Sequence, residues 1–186
     1  MDPEARSVAS AYLDDLARKT AYLTRPYCQR CGTCCRHAGP TLHAEDLELI
    51  RSGRLALGRL VTHRVGARVF SHYLDREVTL EREVVMIASG EGGRCPFLSF
   101  NPTQCSIHRH LPVQCQAQQC WDTSASDELQ MRPGLTRLDI LLEGDPARAL
   151  VEELEAGGDA AQLRARVKVE APDYLGALDF LFGVQR

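Results

Sequence analysis

The chain has 186 residues, of which 44% are hydrophobic, and it carries a net charge of −3. A chain of this length can bury a core without disulfide staples, and a net negative charge argues against nucleic acid or an anionic membrane as a partner. No apolar run is long enough for a transmembrane helix, and the N-terminal segment carries acidic residues where a signal peptide has an apolar stretch. We therefore expect a cytoplasmic protein, in which reducing conditions leave eight cysteines to metal or redox chemistry.

The first part of the chain predicts a helix followed by a loop. Residues 2–24 show a helical pattern of apolar residues, with Asp2 as the N-cap and Pro3 at the first helical position. Glycine and proline punctuate residues 25–41, which predicts an irregular loop there. This loop contains the first four cysteines.

The middle of the chain predicts short helices followed by strands. We expect Thr41 to cap a short helix that stops at Gly53, and a weaker helical pattern continues over residues 54–64. β-Branched residues then dominate residues 66–89, which predicts two or three short strands, with a hairpin through residues 75–83.

A second cysteine loop runs from Gly90 to about Trp121, and helical patterns return from Ser124 onward. Three helix starts are expected where an acidic residue or proline precedes an apolar pattern, namely Asp145-Pro146, Asp159 and Pro172-Asp173. The fold class is therefore mainly α with a small antiparallel β element, an α+β fold. Two cysteine-rich loops converge on the metal, between helical N- and C-terminal flanks. We expect one compact domain over residues 1–186, comprising a metal-binding region at 27–120 and a helical extension at 124–186.

All eight cysteines lie between residues 28 and 120, which is not the scattered placement expected of buried structural thiols. We predict every one of them as a metal ligand: Cys28, Cys31, Cys34, Cys35, Cys95, Cys105, Cys115 and Cys120. One metal ion cannot use eight thiolates, so two four-sulfur sites, or one cluster plus a smaller site, are the natural groupings. Which cysteines share a site stays open.

The spacing of the first cluster indicates metal binding more strongly than it indicates which metal. Cys28, Cys31 and Cys34 repeat the C-x-x-C turn, which aims sulfurs at one point and resembles the loops of ferredoxins. The same spacing fits half of a zinc knuckle. Cys95-Pro96 adds a proline after a ligand cysteine, as in cluster loops. We therefore favour an iron–sulfur cluster, of the 4Fe–4S type, with zinc as the alternative.

The adjacent pair Cys34-Cys35 has two interpretations. Side chains of neighbouring residues usually diverge, so one sulfur can complete the first centre while the other turns to a second centre. Alternatively, Cys35 is a redox thiol. In the second loop, Arg94 and Arg109 are placed to lower the pKa of nearby thiols or to hydrogen-bond sulfide.

The ordered motifs resemble the YkgJ-type cysteine-cluster family, described as a zinc- or iron-chelating domain. They are CxxCxxCC at residues 28–35, then Cys95-Pro-Phe-Leu, then Cys105-x-Ile-His-x-x-x-Pro-x-x-Cys115. The resemblance covers roughly residues 27–120 and implies metal binding, without supplying a reaction. This chain departs from the pattern with His108 in place of tyrosine, Leu111 in place of arginine, and an added Cys120. His108 is therefore an additional candidate ligand.

Other polar residues have ordinary interpretations. His37 and His110 are expected to be surface or hydrogen-bonding residues more than ligands, and His43, His63 and His72 to be structural. The acidic pairs are interpreted as solvated helix faces: Asp14-Asp15, Glu45-Asp46 and Glu152-Glu153. No catalytic residue, serine triad or dinucleotide motif is identified.

The favoured function is an iron–sulfur protein in electron transfer, or an accessory to a partner enzyme. We expect a protein redox or enzyme partner, with no nucleic acid and no membrane. The alternative is a zinc-organised structural or interaction protein, in which the thiolates contribute folding energy. A second alternative is an iron-dependent enzyme acting on a peptide or small molecule.

Overall fold

The computed structural model describes residues 12, 13, 16, 31–36, 39–71, 74–99 and 105–184. Helix makes up 48% of it, and its strands are short and antiparallel, so the predicted α+β class is confirmed. Residues 12, 13 and 16 are helical; the rest of the helix predicted over residues 2–24 lies outside the described residues. No helix in the described part of the chain is long and apolar enough to cross a membrane.

In the described part of the chain, four strands form two nested antiparallel pairs. They are β1 (Leu60–His63), β2 (Arg68–Ser71), β3 (Arg76–Thr79) and β4 (Val84–Ile87). The outer pair joins β1 to β4, with Leu60 opposite Ile87, and the inner pair joins β2 to β3. A backbone hydrogen bond of 2.8 Å from Gly66 N to Leu80 O links the two pairs, so together they form one long hairpin.

Two predictions in this region are wrong in detail. Residues 54–64 are not a helix: a single 3₁₀ turn, Leu57–Arg59, leads into β1. Pairing with β4 and the branched side chains of Val61 and Thr62 override the weak helical pattern. The hairpin predicted through residues 75–83 is shifted toward the N-terminus. The chain turns back between the paired strands β2 and β3, and this turn includes Asp75, whose φ is 48°.

The helices are α1 (Leu47–Arg51), α2 (Val113–Ala117), α3 (Ser124–Met131), α4 (Arg137–Ile140), α5 (Pro146–Glu155), α6 (Ala160–Glu170) and α7 (Leu178–Phe182). Two predicted helix starts are confirmed by their caps. The Asp145 carboxylate accepts from Ala147 N at 2.8 Å, and the Asp159 carboxylate accepts from Gln162 N at 2.9 Å. The third start, Pro172, opens the 3₁₀ segment Pro172–Ala177 before α7.

The helix predicted to start at Thr41 begins later. Thr41 forms a β-bridge with Met86, and a 3₁₀ turn at Ala44–Asp46 precedes α1. The predicted stop holds, since Gly53 has a φ of 70°, a conformation that glycine adopts without strain.

Among the described residues, one cluster of buried side chains connects the sheet, the C-terminal helices and a cysteine. It includes Leu42, Val85, Leu150 and Phe180, each fully buried, together with Cys95. Cys35, Phe97 and Ile107 pack against this cluster from the second cysteine loop and the end of the first. Both cysteine loops therefore pack on the hydrophobic core.

Candidate metal centre

The two cysteine loops converge, as predicted, and a backbone hydrogen bond joins them. Cys34 and Cys35 lie in a 3₁₀ turn, Cys34–Arg36. Cys35 O accepts a hydrogen bond of 2.7 Å from Cys95 N. Leu98 forms an antiparallel bridge with Cys105, and Ser106 N donates to Phe97 O at 2.9 Å. Three chain segments are thereby fixed beside one another.

Five thiols from these segments and from α2 interact electrostatically: Cys34, Cys35, Cys95, Cys105 and Cys115. Burial raises the pKa of Cys115, and the neighbouring Cys95, Cys34 and Cys105 raise it further. The pKa of Cys95 is raised in the same way, first by burial and then by Cys105 and Cys34. Without a metal, thiolates at these positions repel one another, so a bound cation would remove an electrostatic cost.

The adjacent pair is asymmetric. The Sγ atoms of Cys34 and Cys35 lie 3.9 Å apart. A hydrogen bond from Cys35 lowers the pKa of Cys34 to about 6. The same hydrogen bond, followed by burial, raises the pKa of Cys35. Cys34 is exposed and Cys35 is half-buried, so the residue with the lowered pKa is the more exposed of the two.

The remaining predicted ligands are Cys28, Cys31, Cys120 and the additional candidate His108. Cys31 is exposed and its Sγ donates to Thr33 Oγ1 at 3.3 Å; Cys120 is also exposed. Cys28 and His37 lie outside the described residues. His108 is half-buried in the 3₁₀ turn His108–His110, and its backbone N donates to Cys105 O at 3.1 Å.

Among the described residues, no group of three or more His, Cys, Asp or Glu side chains is arranged closely enough to hold one metal ion. The structure thus brings five of the eight cysteines into one region, and the complete ligand set stays a prediction. The donor type still fits a metal, because thiolate sulfur is the ligand that zinc and iron–sulfur clusters take in proteins.

Sequence reasoning missed the role of Asp46, which it placed on a solvated helix face. Asp46 is 2% exposed. Its carboxylate accepts from the backbone N of His43 at 3.0 Å and of Val113 at 2.8 Å. Val113 is the first residue of α2, which carries Cys115. The signal available in the sequence was an acidic residue three positions after His43, the spacing of a capping box.

A second contact joins the same segments, because Thr41 N donates to the Gln114 side chain at 2.5 Å. Nearby, His43 is 1% exposed and its Nδ1 pairs with Pro133 O at 3.2 Å, in keeping with a packed, structural histidine. Residues 41–46 therefore brace the helix that presents Cys115.

Comparison with known proteins gives one match. The family model described as "CxxCxxCC: Putative zinc- or iron-chelating domain" matches residues 27–134, more than half of the chain. No curated protein and no solved structure matches the chain. The matched range contains all eight cysteines and the strands between the two loops.

Proposed function

Because the chain belongs to this CxxCxxCC family of zinc- or iron-chelating domains, we propose that its cysteines hold an iron–sulfur cluster, the 4Fe–4S form being favoured. In this proposal the protein transfers electrons or serves as an accessory to a partner enzyme. The partner is another protein, and the setting is the cytoplasm.

One observation carries the proposal: five thiols from both loops and α2 lie within electrostatic reach of one another. A structural zinc ion takes four ligands. A 4Fe–4S cluster also takes four cysteines, so the five neighbouring sulfurs support a thiolate-bound metal centre without choosing the metal. The ferredoxin-like spacing of Cys28, Cys31 and Cys34 favours the cluster over zinc.

The surroundings of the thiols suit an electron carrier. A bound cluster supplies a site that takes up and releases an electron. Cys95 lies in the core, and the half-buried Phe97 and Ile107 pack against the same core. Apolar cover limits water access and so influences a reduction potential. Cys34 on the outer side is exposed, which leaves the centre close to the surface that a partner would approach.

The test is metal analysis of protein purified without oxygen. We expect four or more irons per chain with matching acid-labile sulfide, and visible absorption near about 400 nm, as thiolate-bound clusters show. Cys115→Ala should lose most of the iron and sulfide. The matched control, Gln116→Ala, changes an exposed neighbour in the same helix and should keep both. One or two zinc ions with no colour and no sulfide would overturn the proposal in favour of a zinc-organised interaction domain.

A further inference from the structure

The charges of the chain are unevenly distributed between the cysteine loops and the rest. Residues 24–44 and 92–121, which hold all eight cysteines, contain no aspartate or glutamate. They carry five arginines: Arg25, Arg30, Arg36, Arg94 and Arg109. The chain has 22 basic and 25 acidic residues in total, so these stretches have a charge of +5 and the remainder a charge of −8. A nearly neutral total therefore hides a basic region around the candidate metal centre.

The structure places three of these arginines directly beside the joined cysteines. Arg36 follows Cys35 and Arg94 precedes Cys95, two residues linked by the 2.7 Å backbone hydrogen bond. Arg109 lies in the 3₁₀ turn His108–His110. This turn is linked to Cys105, because His108 N donates to Cys105 O. All three are exposed. We call the surface formed by Arg36, Arg109 and the exposed Cys34 the acid-free face.

Some exposed arginines pair with carboxylates, as Arg132 does with Glu45 and Arg166 with Glu170. Others, such as Arg51 and Arg54, take part in no ion pair among the described residues, so the feature particular to this face is the lack of acidic residues in the flanking sequence. Within the described residues, Arg36 and Arg109 take part in no ion pair, and the nearby carboxylate of Asp46 is buried. Their positive charge is therefore directed to solvent, where it attracts acidic groups on an approaching molecule.

We propose that the acid-free face is the docking surface for an acidic protein partner that exchanges electrons with the centre, an inference that rests on the proposed function. Cys34 is exposed and shares a 3₁₀ turn with Arg36, so a partner held by charge at Arg36 would meet an exposed ligand of the centre. Complementary charge of this kind steers encounter and fixes orientation more than it adds affinity. A few arginines fit a small acidic patch, whereas duplex DNA binding draws on roughly six to ten phosphate contacts. The acidic remainder of the chain repels extended polyanions.

The experiment uses the full chain as purified, with its metal content measured. The probe is a fluorescein-labelled glutamate peptide, followed by fluorescence anisotropy at low and physiological salt. We expect Arg36→Gln/Arg109→Gln to bind about tenfold more weakly and to lose most of its salt dependence. Arg36→Lys/Arg109→Lys should restore binding, because charge is kept. The matched control, Arg51→Gln/Arg54→Gln, removes the same charge from exposed residues on and after α1 and should bind as the wild type does.

Three results would overturn the docking surface. One is equal weakening in both glutamine variants, which shows an effect of net charge alone. Another is tighter binding of a DNA oligonucleotide of equal charge, or of phosphatidylserine vesicles, than of the peptide. The third is loss of metal with unchanged peptide binding in Arg36→Gln/Arg109→Gln, which would mean that the arginines neutralise the centre. Zinc in place of iron would refute the proposed function but leave these binding results interpretable.

Discussion

At the scale of single residues, the difference between Cys34 and Cys35 leads to a pH-dependent prediction. The hydrogen bond from Cys35 holds the pKa of Cys34 near 6, and Cys34 is exposed. In metal-free protein, Cys34 is therefore mostly thiolate at pH 7, and the thiolate is the reactive form. We expect iodoacetamide to alkylate Cys34 first at pH 7, and Cys95 and Cys115 last, because burial raises the pKa of both. Peptide mapping by mass spectrometry over time measures the order.

The control for this reactivity is Cys35→Ala, which removes the donor. The pKa of Cys34 should then return toward its ordinary value of 9.0. Alkylation of Cys34 should consequently rise steadily from pH 6 to pH 9 instead of levelling off just above pH 7. An unchanged profile in Cys35→Ala would show that the hydrogen bond does not set the pKa.

Asp46 supports the metal centre through α2. Asp46→Ala leaves the buried amide of His43 and the part-buried amide of Val113 without their acceptor, and each such loss costs about 1–3 kcal/mol. We expect the free energy of unfolding to fall by about 3 kcal/mol. Because the helix carrying Cys115 loses its anchor, metal affinity should fall about 10- to 100-fold, the effect typical of residues that support a ligand. Chemical denaturation and competition with a chelator measure the two effects.

The control for Asp46 is Glu48→Gln, two residues away on the exposed side of α1. It removes the same charge without breaking either contact. Both stability and metal affinity should stay at the wild-type level. If Glu48→Gln weakened metal binding as much as Asp46→Ala, the effect would come from charge and not from bracing.

At the scale of elements, the close approach of the first cysteine loop to β4 depends on Gly39. A Cβ at Gly39 would lie 2.0 Å from the carbonyl oxygen of Ile87, which is backbone and cannot turn aside. Overpacking typically costs about 1–3 kcal/mol, and more where backbone must move. We expect Gly39→Ala to lower the free energy of unfolding by about 3 kcal/mol and to lower metal content, because the loop that ends here carries Cys34 and Cys35.

The control for Gly39 is Gly176→Ala, where an added Cβ meets nothing within 4 Å. Its stability should change by less than about 1 kcal/mol, as for a substitution that touches nothing. Thermal unfolding of both variants measures their stability, and metal analysis of the same samples measures their metal content. Equal melting temperatures would show that the loop tolerates displacement from β4.

The elements that could be predicted from the sequence are those with local signals. Asp145 and Asp159 predict the starts of α5 and α6, because an aspartate before an apolar helical pattern acts as the N-cap. Strand β1 could not be found in this way, since Leu60–His63 becomes a strand by pairing with β4, more than twenty residues later. The burial of Asp46 was missed for the same reason: its partner Val113 is distant in sequence.

At the scale of the whole molecule, the sequence predicted that the cysteine loops meet but not how they meet. Clustering and spacing alone indicate metal binding, and the family match supports that reading. The contact itself depends on the Cys35–Cys95 hydrogen bond and on the core beneath, which joins residues from Leu42 to Phe182. The grouping of all eight cysteines, and the separation of residues 27–120 from 124–186, stay predictions.

One buried arginine links the hairpin to the C-terminal helices. Arg137, fully buried in α4, donates to the carboxylates of Glu83 and Glu155 and to Leu181 O. Glu83 precedes β4, Glu155 ends α5, and Leu181 lies in α7. A charge in the core is tolerated because every side of the guanidinium faces an acceptor. The sequence offered no signal for this network, since its three partners are spread over about a hundred residues.

Removing Arg137 should therefore loosen the whole molecule. Arg137→Met leaves the carboxylate of Glu83, which is largely buried, without its partner, and breaking a buried pair costs about 3–5 kcal/mol. Arg166→Met is the matched control, because its pairs with Glu153 and Glu170 are exposed and such pairs contribute about 0–1 kcal/mol. Denaturant unfolding should show a large fall in midpoint for Arg137→Met alone. A fall of equal size in both variants would mean that Arg137 acts as one more surface charge and that the hairpin and the helices are held together by apolar packing.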